Sequence, residues 1–214
     1  MKVDKRETLR YLGYRGQEPD AQTEKLIEEV TEELEKESLP KSVYREYDCS
    51  VKGDRVTIGP LTVVSRHLSK NLQGCEKAVI LAATIGRGAD LMIKKYSVTN
   101  MAKATVVQAA GASAIEVYVD EVEEEVRKNA EKRGLYLRPR FSPGYGDFPL
   151  DYQKEVFSIL ECGKRIGVTL TEGNLMMPTK SVTAVIGLTR LVHQSCHQKT
   201  CSSCEKTDCE FRME

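Results

Sequence analysis

The chain has 214 residues, with 32 lysines and arginines against 32 aspartates and glutamates, so its formal net charge is 0. That balance argues against nucleic acid as a partner, and no apolar run approaches the roughly 20 residues that a membrane span requires. The N-terminus, Met1 to Arg6, is charged rather than the apolar core of an export signal, which predicts a cytoplasmic protein.

In chain order, residues 5–16 read as a short basic and aromatic helix (Leu9, Tyr11, Leu12) closed by Gly13 and Gly16. Asp20 can cap a second helix running to Glu37, with Leu26, Ile27, Val30 and Leu34 on one face and Pro40 beyond its end. Val43 to Ser50, a turn at Lys52-Gly53-Asp54 and Arg55 to Ile58 predict a β-hairpin, with a third short strand over Leu61 to Val64. Ala78 to Ala83 is an unbroken apolar run suited to a strand buried on both faces. Gly86-Arg87-Gly88 follows it, too short for a glycine-rich nucleotide fingerprint and better read as a tight strand-to-helix turn.

A long helix is predicted from Asn100 to Arg133, its first half small and apolar and its second half (Asp120 to Arg133) a solvated end stopped by Gly134. Leu135 to Leu137 then starts a strand, Asp151 to Leu160 a helix, and Val168 to Leu170 and Ser181 to Thr189 further strands. Few βαβ units of regular length appear. The predicted class is α+β, a mainly antiparallel twisted sheet with packed helices. Residues 1–74 supply helices and a hairpin of the same domain, 75–192 the core, and 193–214 a cysteine-rich tail.

Between the strand at Leu137 and the helix at Asp151 lies the densest concentration of special residues, Arg138-Pro139-Arg140-Phe141-Ser142-Pro143-Gly144-Tyr145-Gly146-Asp147-Phe148-Pro149. Proline restricts the loop's conformations and glycine lets a ligand or another backbone come close. Two guanidinium groups and a tyrosine on such a frame suit an anion and a planar group, although a stiff connection with no ligand has the same composition. In the central helix, Glu116 is a carboxylate within the small and apolar segment Ala112 to Tyr118. If buried it needs a cationic partner or a ligand donor; on the polar side of the helix it needs neither. There is no nucleophile elbow and no zinc-protease helix.

Seven cysteines occur, and four of them fall in the last nineteen residues as Cys196-x4-Cys201-x2-Cys204-x4-Cys209, with His193 and His197 nearby. Cys196, Cys201, Cys204 and Cys209 form a plausible tetrahedral thiolate set for zinc or an iron–sulfur cluster, while their spacing matches neither standard ferredoxin run. A redox-active thiol cluster and an incidental tail compete with the metal.

These pieces together resemble the activation (S-adenosylmethionine-binding) domain of cobalamin-dependent methionine synthase. Arg140-Phe141-Ser142-Pro143-Gly144-Tyr145 is similar to that domain's Arg-Pro-x-Pro-Gly-Tyr signature, with Phe141 in place of its first proline. Leu170-Thr171-Glu172 and the following Pro178 are similar to its Leu-Thr-Glu-Ser segment, and Ser181-Val182-Thr183-Ala184 to the strand after it. The likeness spans roughly residues 75 to 190, and no cobalamin-binding Asp-x-His-x-x-Gly is present.

The resemblance implies a free-standing accessory component of the methyltransferase in methionine biosynthesis. It would bind S-adenosylmethionine for reductive methylation of cob(II)alamin, with cobalamin carried by a separate methionine synthase chain. A flavodoxin or ferredoxin is the implied electron donor. The domain's contribution is positional, so no side chain is expected to be catalytic. By the same resemblance Arg140 grips the methionine carboxylate, backbone around Ser142, Pro143 and Gly144 meets the adenosine, Tyr145 packs on the ligand and Glu116 faces its positive charge. The alternative is a metal- or iron–sulfur-binding reductive activator of another corrinoid methyltransferase.

Overall fold

A computed structural model describes residues 2–191. Helix α1 (Lys5–Tyr11) is capped by the Asp4 carboxylate, which accepts from the Arg6 and Glu7 amides. It is shorter than the predicted 5–16, because Gly13 and Gly16 take left-handed φ values of 90° and 85°. Helix α2 (Ala21–Glu37) starts at the predicted cap, with Asp20 accepting from Thr23 N–H, and buries Ile27, Val30 and Leu34.

The hairpin region forms β1 (Lys41–Lys52), β2 (Arg55–Ile58) and β3 (Leu61–Val64). Next comes α3 (Arg66–Leu72), absent from the sequence reading and begun by a Ser65 side-chain cap on Leu68 N–H. Strand β4 (Lys77–Thr84) is buried on both faces, as its apolar run requires.

Helix α4 (Gly88–Thr99) follows the glycine turn, and α5 (Met101–Glu131) runs from the Asn100 cap. The second half of α5 is not simply solvated. Val119, Val122, Val126 and Ala130 continue the buried stripe at helical spacing, leaving the glutamates on the opposite side.

Strand β5 (Tyr136–Leu137) leads into the proline loop, a 3-10 turn (Leu150–Tyr152) precedes α6 (Gln153–Leu160), and α7 (Cys162–Ile166) follows through Glu161, a left-handed residue with φ 54°. Strands β6 (Thr169–Leu170) and β7 (Met176–Met177) form a separate small hairpin, so the predicted strand over residues 168–170 does not join the main sheet. Asn174, at φ 61°, makes the bend, its left-handed conformation stabilised by its own N–H bond to the Thr171 carbonyl at 3.0 Å. Strand β8 (Ser181–Thr189) closes the described chain and covers the predicted span.

The main sheet is antiparallel throughout, in the order β3-β2-β1-β4-β8-β5. The predicted α+β class is therefore the observed one, and residues 1–74 contribute three strands to the same sheet as the core. Side chains alternate across it with period two. Val79, Leu81 and Ala83 of β4 and Ala184, Ile186 and Leu188 of β8 face the layer of α1, α2, α4 and α5. Ala78, Ile80, Ala82 and Val185 face the opposite core, with Phe141, Phe148, Val156 and Leu160. Among the described residues no helix is long and apolar enough to cross a membrane.

Candidate functional site

The proline loop grows from the sheet edge. The Phe141 and Val185 backbones exchange hydrogen bonds of 2.9 and 2.8 Å, which anchors the loop on β8. Strand alternation then sends Phe141 into the α6-side core and Arg140 to the α5 side. The substitution at Phe141 thus serves packing: its ring lies 6.4 Å from Phe148, stacked at 16°.

Tyr145 N–H bonds the Ser142 carbonyl at 3.1 Å across Pro143 and Gly144, and Gly144 sits at φ 93°. Proline at the first central position and a positive-φ glycine at the second define a type II turn. A second turn, Phe148 N–H to Tyr145 carbonyl at 2.9 Å, and a cross-link from Gly144 N–H to the Phe148 carbonyl at 2.8 Å make the loop compact. Pro143 and Phe148 are buried, Ser142 is half-buried, and Gly144 and Tyr145 are exposed, Tyr145 by 64%.

Asp147 fastens this loop to α3. Its carboxylate accepts from Ser65 Oγ at 2.5 Å, Arg66 N–H at 2.8 Å and His67 N–H at 3.0 Å. The Ser65 hydrogen bond is the largest influence; desolvation opposes it, and with the His67 and Arg66 amides it holds the pKa down to about 2. The sequence reading gave Asp147 no role, since the helix it caps lies some eighty residues earlier.

Arg140 is the electrostatic centre. Its Nη1 donates to Asp120 Oδ1 at 2.5 Å and Glu123 Oε2 at 2.8 Å, and its Nη2 to Glu116 Oε2 at 3.2 Å. Burial disfavours the guanidinium charge, but the Asp120 hydrogen bond and the charges of Asp120, Glu123 and Glu116 hold its pKa above the ordinary arginine value. Glu116, Asp120 and Glu123 are spaced four and three residues apart, so α5 presents them as one stripe. That spacing was the available sequence signal for Asp120 and Glu123, which the sequence reading left out. Glu123 is shared with Arg127 Nη2 at 2.9 Å.

The structure brings Arg140 and Glu116 together directly. The Glu116 side chain is 46% exposed and already has a cationic partner, so burial does not by itself demand a ligand there. A guanidinium has five N–H donors, and the described residues engage three of them on Arg140, leaving Nε–H and one Nη2–H. Nε–H and the neighbouring Nη2 are the pair of donors that a carboxylate engages side-on, the fork of the group.

Arg138 goes to the other side, where its Nη2 donates to the Gln73 carbonyl at 2.8 Å. The β6–β7 hairpin carries the Leu170 to Pro178 segment, held to the start of α6 by Asn174 Nδ2 bonding Asp151 Oδ1 at 2.9 Å. An open depression of about 410 Å³ lies by α6, α7 and β6, lined by Phe157, Glu161, Val168 and Leu170, and includes none of the predicted ligand residues. Cys196, Cys201, Cys204 and Cys209 lie outside the described residues, and among the described residues no cluster of three or more metal-ligating side chains occurs.

An antiparallel sheet, a long buried helix and a stiff arginine–glycine–tyrosine loop over an acidic helix stripe make up a single α+β domain architecture. The chain belongs to the family described as vitamin B12 dependent methionine synthase, activation domain, whose sequence model matches residues 70–198. Its fold is similar to that in a crystal structure of the MetH reactivation domain bound to AdoHcy. The TM-score is 0.66 at 17% sequence identity, over 86% of this chain and 73% of that chain. No curated protein matches.

Proposed function

We propose that this chain binds S-adenosylmethionine and presents its methyl group to cob(II)alamin carried on a separate cobalamin-dependent methionine synthase chain. One electron from a flavodoxin- or ferredoxin-type donor and the transferred methyl group together yield methylcobalamin and S-adenosylhomocysteine. Family membership supports the activation role, and the similar MetH domain was crystallised with AdoHcy.

The observation that carries the ligand reading is Arg140. Three carboxylates fix the guanidinium's orientation while its Nε and one Nη2 donor remain for a ligand carboxylate. The amino-acid end of the ligand sits on that fork. The type II turn offers the ligand its Ser142 to Gly144 backbone, and the exposed Tyr145 ring packs on the adenosyl moiety. Glu116, half-exposed beside Arg140, balances the ammonium or sulfonium charge. These residues bind and orient; none is asked to act as nucleophile or base, and the gain in rate is one of proximity.

Replacing Arg140 by alanine is expected to weaken S-adenosylmethionine binding by about 1.5–3 kcal/mol, the range for a hydrogen bond to a charged group. Isothermal titration showing unchanged affinity in that variant removes Arg140 from the site. Anaerobic reactivation with a cob(II)alamin-loaded partner, S-adenosylmethionine and a reductant tests the whole reading. Absence of methylcobalamin under every reductant counts against it. The tail cysteines enter the proposal as a thiolate site for zinc or an iron–sulfur cluster, tested by metal analysis and visible absorption of anaerobically purified protein.

A further inference from the structure

The clasp between Asp147 and α3 contains one side chain with no role so far. His67 turns both its backbone and its ring to the same carboxylate oxygen. Its N–H donates to Asp147 Oδ1 at 3.0 Å, and its Nδ1 stands 3.6 Å from that atom, slightly beyond a hydrogen bond. The His67 side chain is 38% exposed, yet its Nδ1 is buried and has no hydrogen-bond partner among the described residues. A buried ring nitrogen left unsatisfied calls for a reason.

The proline loop supplies the cover. Gly146 takes a left-handed φ of 55°, and a Cβ there would collide with His67 Nδ1 and crowd its Cγ at 3.1 Å. The imidazole edge is therefore packed against loop backbone, between Tyr145 and Asp147 in sequence. The bonds that close the loop flank this contact, Gly144 N–H to the Phe148 carbonyl at 2.8 Å and Phe148 N–H to the Tyr145 carbonyl at 2.9 Å.

Asp147 is the acid placed at the ring, and its pKa of about 2 keeps it ionised near neutrality. Arg66 and Lys70 lie on α3 itself and Tyr145 in the loop. Asp54 and Arg55 stand at the β1–β2 turn, where Ser65 N–H donates to the Asp54 carbonyl at 2.9 Å. Among these residue types, histidine is the one whose ordinary titration lies between about pH 5 and 8.

We propose that His67 is a positioning residue for the Ser142–Phe148 loop, its imidazolium donating Nδ1–H to Asp147 and so holding Tyr145 in the arrangement that receives the ligand. The inference rests on the S-adenosylmethionine reading of that loop. A neutral ring can keep its one proton on Nε2 and turn a bare lone pair to the carboxylate, whereas the imidazolium donates from both nitrogens. The added bond is present when the ring is protonated and is lost as pH rises through the histidine range. A ligand that binds only the closed loop is held more tightly as the closed fraction grows, so binding strengthens toward acid.

The test is calorimetric titration of the full chain with S-adenosylmethionine at about pH 5.5 and about pH 8, either side of the histidine range. Wild type, His67→Asn, Asp147→Asn and the double variant are compared. The α-amino group of the ligand also titrates in this window, but alike for every variant, so the quantity read is the ratio of wild-type to His67→Asn affinity. That ratio should be roughly two- to fivefold larger at the lower pH, the worth of a half-exposed ion pair, and should not change with pH in the Asp147→Asn background.

A ratio equal at both pH values overturns the inference and leaves the ligand site standing, as does a ratio that changes equally without Asp147. If wild type binds no S-adenosylmethionine at either pH, the ligand reading falls and the inference with it. Should His67→Asn fold poorly, amide exchange in ligand-free wild type decides. Protection of Gly144 and Phe148, corrected for intrinsic rates, should be roughly two- to fivefold greater at the lower pH, and unchanged protection overturns the inference.

Discussion

Arg140 joins a loop to a helix more than fifteen residues earlier in sequence, and its removal should be felt in stability even without ligand. In Arg140→Ala the guanidinium, whose side chain is 24% exposed, leaves Glu123 (17%), Glu116 (46%) and Asp120 (68%) facing one another. The Glu123 contact is the most sheltered, and a charge-assisted bond of that kind contributes about 1.5 kcal/mol. The more exposed Asp120 and Glu116 contacts are screened and contribute about 0.5 kcal/mol between them. Unmasked repulsion at helical spacings of four and three costs a few tenths of a kcal/mol per pair. Glu123 keeps Arg127, which softens the loss. The expected destabilisation is about 2 kcal/mol, or roughly 4–8 °C in melting temperature for a chain of this size.

Urea unfolding of wild type, Arg140→Ala, Glu123→Gln and the double variant closes a cycle. A coupling of about 1 kcal/mol between the two positions is expected, since each single change spoils the same contact. A destabilisation below about 0.5 kcal/mol, with coupling indistinguishable from zero, would refute the view that this cluster ties the loop to α5.

Asp120→Asn should raise S-adenosylmethionine affinity roughly two- to fivefold, because it removes a negative charge held on Nη1 of the same guanidinium and leaves the Nε and Nη2 donors untouched; unchanged or weaker binding in titration argues against a ligand carboxylate on Arg140. The Asp147 clasp is pH-dependent with a defined sign: its folded pKa of about 2 lies below the ordinary 3.8, so the stabilisation is present above about pH 4 and is lost as pH falls through about 2. Amide resonances of Arg66 and His67 should shift over that window in wild type and stay flat in Asp147→Asn. Gly88→Ala places a Cβ 2.3 Å from the Glu37 carbonyl oxygen, a backbone atom that cannot step aside, so a loss of roughly 2 kcal/mol or more is expected in thermal unfolding. A neutral Gly88→Ala would show that α2 and α4 do not need this close approach.

The parts legible in the sequence were those in which local pattern and final environment agree. Asp20 and Asn100 cap α2 and α5 because a short acceptor side chain precedes each apolar repeat. The uninterrupted apolar run in β4 suited a strand buried on both faces, and that is what forms. Some short elements were hidden. Helix α3 has only seven residues and relies on Ser65 and on a carboxylate from a distant loop, and β7 has two residues and exists only through its pairing with β6, whereas the equally short β5 and β6 fall within the predicted strands. The second half of α5 was misread because its glutamates dominate composition, although its valines keep the helical period.

The candidate site divides in the same way. Sequence alone determined that a stiff Arg-x-x-Pro-Gly-Tyr loop exists and that α5 carries acids at helical spacing, because proline, glycine and periodicity act over a few bonds. Only the tertiary structure decided which arginine meets those acids. Phe141 anchors the loop on β8, and strand alternation then turns Arg140, not Arg138, toward Glu116, Asp120 and Glu123. It also decided that α1, some hundred residues earlier in sequence, lies against α5 through the Asp4–Ser113 pair. Contacts of that separation depend on how β8 and α5 lie against each other, and no local spacing encodes them.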